Sequence, residues 1–147
     1  MIDKNLVLIS GAIVFKETRG KRRWFLAKQV ENGEWEIPKI LARKTESSAR
    51  AAIRLMAEKG SMDAKVLEEA GRAGGSGIIN GKAVPQRYLY YLMALQGMGE
   101  ILGFEEYAWL EYAKAVRKLS SKRERLMIKN AREELKKWQR KEENKEQ

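Results

Sequence analysis

From Leu6 to Phe15 apolar and β-branched residues run almost unbroken around Ser10-Gly11, the pattern of a buried strand whose glycine permits close packing or a bulge. The polar stretch Lys16 to Arg23, centred on Gly20, predicts a hairpin connection into a returning strand, Trp24-Phe25-Leu26-Ala27. Glu31-Asn32-Gly33 reads as a turn before a short strand, Trp35 to Pro38. From Glu46 the apolar positions Ala49, Ala52, Ile53 and Met56 fall at helical spacing, with Thr45 as the expected amino-terminal cap and a stop near Gly60. Met62 to Glu69 predicts a strand leading into Gly71-Arg72-Ala73-Gly74-Gly75-Ser76-Gly77, read as a flexible hairpin. It lacks the lysine and hydroxyl of a phosphate-binding P-loop and the spacing of a dinucleotide fingerprint.

Asn80-Gly81 is a strong turn signal, after which Val84 to Leu95 reads as a long strand carrying Tyr88, Tyr90 and Tyr91, with Pro85 near its start. A strand over Phe104 to Leu110 and a short helix over Glu111 to Leu119 follow. Ser120-Ser121 then caps a last helix whose apolar face is expected to hold Leu126, Ala131, Leu135 and Trp138. This order predicts an α/β domain over residues 1–138, a mixed sheet with helices on its faces, and a frayed, charged tail over 139–147.

Composition narrows the chemistry. The 147 residues suffice for one domain with a single real core. The absence of cysteine and histidine excludes disulfides, thiolate or imidazole metal ligands, and a cysteine or histidine catalyst. Any catalysis would run on carboxylate, lysine, tyrosine or hydroxyl groups. A net charge of +10 and a pI near 9.8 suit a polyanionic partner or, equally, a lysine-rich solvated surface. The basic run Lys16 to Arg23 carries the same two readings, edge-strand protection or a nucleic-acid contact. From Lys122 to Gln147 ten Lys or Arg face six Glu, which reads first as an exposed helix stabilised by its own pairs. No signal sequence or membrane span is apparent, so a cytoplasmic protein is the expectation.

Several segments resemble the Nudix domain, and within that group the diadenosine tetraphosphate hydrolases, over residues from about 8 to about 135. Ser10-Gly11-Ala12-Ile13-Val14-Phe15 is similar to the opening strand and Trp35-Glu36-Ile37-Pro38-Lys39 to the strand that leads into the Nudix box. Glu46, Ala51-Ala52 and Arg54 fall on the box. Gly81, Val84, Tyr90, Tyr91, Leu92 and Met93 resemble the strand after it, and Trp109-Leu110 with the helix from Ala115 to Leu119 resembles the closing elements. The resemblance implies a Nudix-type α/β/α sandwich with an added basic C-terminal helix.

The family pattern is a glycine, five residues, a glutamate, seven residues, then Arg-Glu-hydrophobic-any-Glu-Glu-any-Gly. Carboxylates three and four residues apart share one helix face, where in the family they hold magnesium against a pyrophosphate. This chain keeps Glu46 and Arg54. Ile40 replaces the first glycine, Leu55 the glutamate after the arginine, and Ser61 the closing glycine; of the final pair Glu58 remains and Lys59 replaces its neighbour. A one-residue gap that moved Gly60 onto the closing glycine would rotate the helix face by about 100° and break the register of Glu46, Ala51-Ala52 and Arg54. On the ungapped alignment Leu55, Glu58 and Lys59 carry no net charge.

Three function classes follow. The first is a binding protein in which Lys39, Arg43, Lys44, Arg54 and Lys59 meet a nucleotide or RNA phosphate without a metal, Tyr88, Tyr90 or Tyr91 stacking on a base. Family members inside RNA-processing and ribosomal assemblies suggest this class by analogy. The second is a surviving magnesium-dependent hydrolase of nucleoside polyphosphates, with Glu58 as metal ligand aided by Glu46, Glu105 or Glu106. The third is a protein-interaction subunit of a ribonucleoprotein assembly, using Leu55 and Trp138 as apolar contacts. No cofactor is expected in the first and third; magnesium belongs to the second.

Overall fold

The computed structural model describes residues 6–145. β1 (Val7–Thr18) and β2 (Lys21–Lys28) form an antiparallel hairpin, joined through Arg19 and Gly20, both at positive φ. β3 (Lys39–Leu41) pairs with β1, and α1 (Ser48–Gly60) follows. β4 (Met62–Ile79) and β5 (Lys82–Met98) make a long antiparallel hairpin. β6 (Glu106–Leu110), α2 (Tyr112–Lys118) and α3 (Lys122–Lys145) complete the chain. The sheet runs β4-β5-β1-β2-β6 with β3 beside β1, and it is mixed because β1 and β5 are parallel while the other pairings are antiparallel. This is the α/β arrangement expected from the order of elements.

Successive side chains of a strand point to opposite faces, and here both faces are covered. Ala12, Val14, Phe25, Leu89, Tyr91 and Met93 meet Ala52, Leu55 and Met56 of α1. Ile13, Phe15, Trp24, Leu26, Tyr90 and Leu92 meet Ala115 of α2 and Ile128, Ala131 and Leu135 of α3. The near-continuous apolar runs in β1, β2 and β5 are the consequence of burial on both sides. Gly11 permits one close approach, since a Cβ there would run into the Tyr90 ring.

Five local expectations change. Ser47, not Thr45, caps α1, its Oγ accepting from the Arg50 N–H at 3.2 Å; an extended backbone (φ −68°, ψ 153°) lets it reach back. Trp35 to Pro38 forms only an isolated bridge, Ala27 to Glu36, because Pro38 has no N–H and the Ile37 N–H is turned to Glu124. Gly71 to Gly77 is not a loop: β4 passes through it, paired with β5 to the Asn80-Gly81 turn, and none of its glycines has positive φ. Leu126 is 54% exposed, and the buried stripe of α3 is Glu124, Met127, Ile128, Ala131 and Leu135. Five residues before Ala131, Leu126 points about 140° away from it, whereas Glu124 continues the stripe. Residues 139–145 continue α3, with an ion pair between Glu142 and Lys145, in place of the expected frayed tail, whose residues 146 and 147 lie outside the described residues. Among the described residues no helix is long and apolar enough to cross a membrane.

Candidate functional site

The amino-terminal end of α1 is held by an ion-paired turn. Arg54 grips Glu46 with two hydrogen bonds, Nε to Oε2 at 2.8 Å and Nη2 to Oε1 at 3.0 Å, and also donates to the Leu41 carbonyl. The Arg43 N–H adds a bond to Glu46 Oε1 at 3.1 Å. The Arg54 hydrogen bond, ahead of that from Arg43, pulls the Glu46 carboxyl down to about 2. Glu46 therefore fixes the turn between β3 and α1.

Farther along the helix, Leu55 is fully buried among the apolar residues under α1. Burying a leucine stabilises by about 1.5–3 kcal/mol, so this position now belongs to the core and is unavailable as a docking contact. Glu58 is exposed, 3.7 Å from the Arg54 guanidinium. At the end of the helix the Lys59 carbonyl accepts the Gly103 N–H at 2.9 Å, and the Ser61 carbonyl accepts the Gly99 N–H at 2.8 Å. A Cβ at Gly103 would lie 2.5 Å from Lys59 Cα, so the 99–104 segment packs directly on the helix end.

Magnesium requires near-octahedral oxygen ligation, usually from carboxylates together with substrate phosphates. Here one face offers an apolar side chain, one carboxylate beside a guanidinium, and an ammonium. Among the described residues no three Asp or Glu side chains are grouped to hold a metal. Glu106 is instead paired with Lys28 at 2.8 Å. The residues present do not fit a magnesium centre.

A different group of polar residues meets on the opposite face of the sheet. Glu34, Trp35, Glu36, Lys39, Tyr88, Tyr90, Ser120, Ser121, Arg123 and Glu124 line a cavity of about 190 Å³. At its floor Glu124, 3% exposed, accepts from the Ile37 N–H (2.9 Å), Lys39 Nζ (2.7 Å) and Tyr90 OH (2.8 Å). Lys39 Nζ also donates to Glu36 Oε1 at 3.2 Å and to the Ile37 carbonyl at 2.9 Å. Burial, followed by the negative charge of Glu124, pushes the Tyr90 hydroxyl well above the usual phenol range. Tyr88 stacks on Tyr90 with ring centroids 6.4 Å apart, and the Arg123 guanidinium lies 4.3 Å from the Tyr88 ring. Lys28 and Lys118 lie 5.3 and 4.9 Å from the Trp35 ring.

The expected site residues thus divide. Lys39, Tyr88 and Tyr90 come together in the cavity, while Arg43 and Glu46 lie in the turn before α1, Arg54 in its middle and Glu58 in its last turn. Lys44 is exposed before the helix and Lys59 half-buried at its end. They do not form one cradle. Tyr91 faces α1, its OH sharing a hydrogen bond with Ser48 Oγ. Sequence reasoning missed Arg123 and Glu124; the signal was a carboxylate on an apolar stripe, three and four residues before Met127 and Ile128.

No protein-family model and no curated protein matches the sequence. Solved structures do match in shape. The Ap4A hydrolase of C. elegans, in a binary complex, superposes with a TM-score of 0.70 at 18% identity, covering 88% of this chain and 97% of that one. A Nudix hydrolase from Nitrosomonas europaea gives 0.66 at 13% identity over 84% and 86%. The Nudix domain of Shewanella oneidensis NrtR, complexed with ADP ribose, gives 0.63 at 19% identity over 88% of each chain. The chain has the Nudix fold.

Proposed function

We propose that this chain is a Nudix-fold protein that binds a nucleotide, free or within RNA, without efficient hydrolysis, in the cavity between residues 34–39, β5 and α3. The observation that carries the reading is the box face of α1, where Leu55 is core, Glu58 stands beside Arg54 and Lys59 adds a cation. Aromatic rings, an arginine and convergent polar groups are gathered instead around the cavity, the combination that holds bases and backbones. The likeness to folds that hold ADP ribose or hydrolyse Ap4A supports a nucleotide-type ligand. Arg43, Lys44 and Lys59 are solvent-accessible cations for the phosphates of a longer strand, and the +10 charge fits an RNA or ribonucleoprotein partner in the cytoplasm.

Incubation with magnesium and diadenosine tetraphosphate tests the lost catalysis, and titration with RNA in EDTA tests the binding. Binding that weakens with salt, without turnover, is expected. Robust hydrolysis abolished by Glu58→Gln would overturn the proposal.

A further inference from the structure

Glu124 is the least expected group in the cavity. An ammonium, a backbone N–H and a hydroxyl converge on its two oxygens, a donor set suited to a phosphate, yet the chain supplies the anion itself. Lys39 has three ammonium protons, and its three acceptors are Glu124, Glu36 and the Ile37 carbonyl. No donor is left on Lys39 for an incoming phosphate. The lining holds three carboxylates, Glu34, Glu36 and Glu124, against two cations, Lys39 and Arg123.

The groups still open are acceptors. Glu34 engages Ser120 through Oε2, and Glu36 engages Lys39 through Oε1; among the described residues their second oxygens carry no hydrogen bond. Such oxygens accept from N–H groups. Trp35 and Tyr88 add flat apolar walls. At about 190 Å³ the cavity is smaller than the roughly 300–1,000 Å³ of pockets that enclose whole ligands, so it takes a part of one.

We infer that Glu124 makes this cavity selective for the amino-bearing edge of a nucleobase and excludes phosphate from it. The phosphates of the ligand stay at the rim, near Arg123, Lys28 and Lys118. Carboxylates accept from base amino groups while aromatic rings stack on the base. This inference rests on the nucleotide-binding reading above.

The test is calorimetric titration in EDTA with adenosine, cytidine and inorganic tripolyphosphate. In the native protein the nucleosides bind and excess tripolyphosphate does not displace them. In Glu124→Gln, tripolyphosphate affinity rises by about tenfold or more as Lys39 is released from its anion, and adding Lys39→Met removes the gain. A folded Glu124→Gln protein without that gain overturns the inference. So does tripolyphosphate that displaces a nucleoside from the native protein, a result readable even if the variant does not fold. If neither nucleoside nor RNA binds the native protein, the nucleotide-binding reading fails, while the tripolyphosphate gain in Glu124→Gln still decides whether Glu124 excludes phosphate.

Discussion

The two faces of the sheet use their polar residues in opposite ways. Under α1, a position that holds a carboxylate in the Nudix box is filled by a leucine packed into the core, and Glu46 and Glu58 both pair with Arg54. Under α3, a helix whose buried stripe is otherwise apolar buries a carboxylate, and three donors converge on it. A shared fold sets the scaffold around a site, and the side chains placed on it set the chemistry. On one face the Leu55 position serves packing; on the other, a buried position is given to a polar group.

Placing a carboxylate back on the first face should break it most severely. Leu55→Glu buries a charge without a partner and is expected to lower unfolding free energy by about 4 kcal/mol or more, read by urea denaturation. A stable variant that gains magnesium affinity would show that the face is still a metal site. On the second face, Glu124→Ala leaves the Lys39 ammonium, the Ile37 N–H and the Tyr90 hydroxyl without their shared acceptor. A loss of about 3–5 kcal/mol is expected from breaking such a pair, and a loss under about 1 kcal/mol would mean that water replaces the carboxylate.

Much of this contrast was readable in the chain. The Asn80-Gly81 turn, the doubly buried strands and the end of α1 at Gly60 follow from local residue chemistry, and the replacements at Leu55 and Lys59 stand in the box itself. What local patterns did not give are the features made at long range. Gly71 to Gly77 becomes strand because β5 supplies a ladder up to the turn, which outweighs the weak strand preference of glycine. The segment from Trp35 to Pro38 stops at a single bridge to Ala27 because Ile37 bonds to a carboxylate 87 residues away. Lys39 looks like a free cation in sequence, and only the packing of α3 shows that its protons are spent.

Smaller changes sharpen the contrast further. Ser10, fully buried in β1, has no hydrogen-bond partner for its Oγ among the described residues. Ser10→Ala is therefore expected to raise stability by about 1 kcal/mol, measured as an upward shift in melting temperature; a drop would reveal an ordered water bound to the hydroxyl. The Glu46 to Arg54 pair should show itself in acid. With its folded value near 2, below the ordinary 4.5, Glu46 contributes stability that is complete above pH 4.5 and lost as pH falls through about 2. Arg54→Met lacks that contribution, so the melting-temperature gap between native protein and variant should narrow across this window, and a constant gap would contradict the assignment.

The central claim is that ligand binding here has parted from metal chemistry. Its most direct measurement is one titration of the native protein with adenosine 5′-diphosphate, followed through the Trp35 indole resonance, first in EDTA and then in excess magnesium. The same saturable shift and the same affinity are expected in both, with no product formed. An affinity that appears only with magnesium, or release of phosphate during the titration, would contradict it.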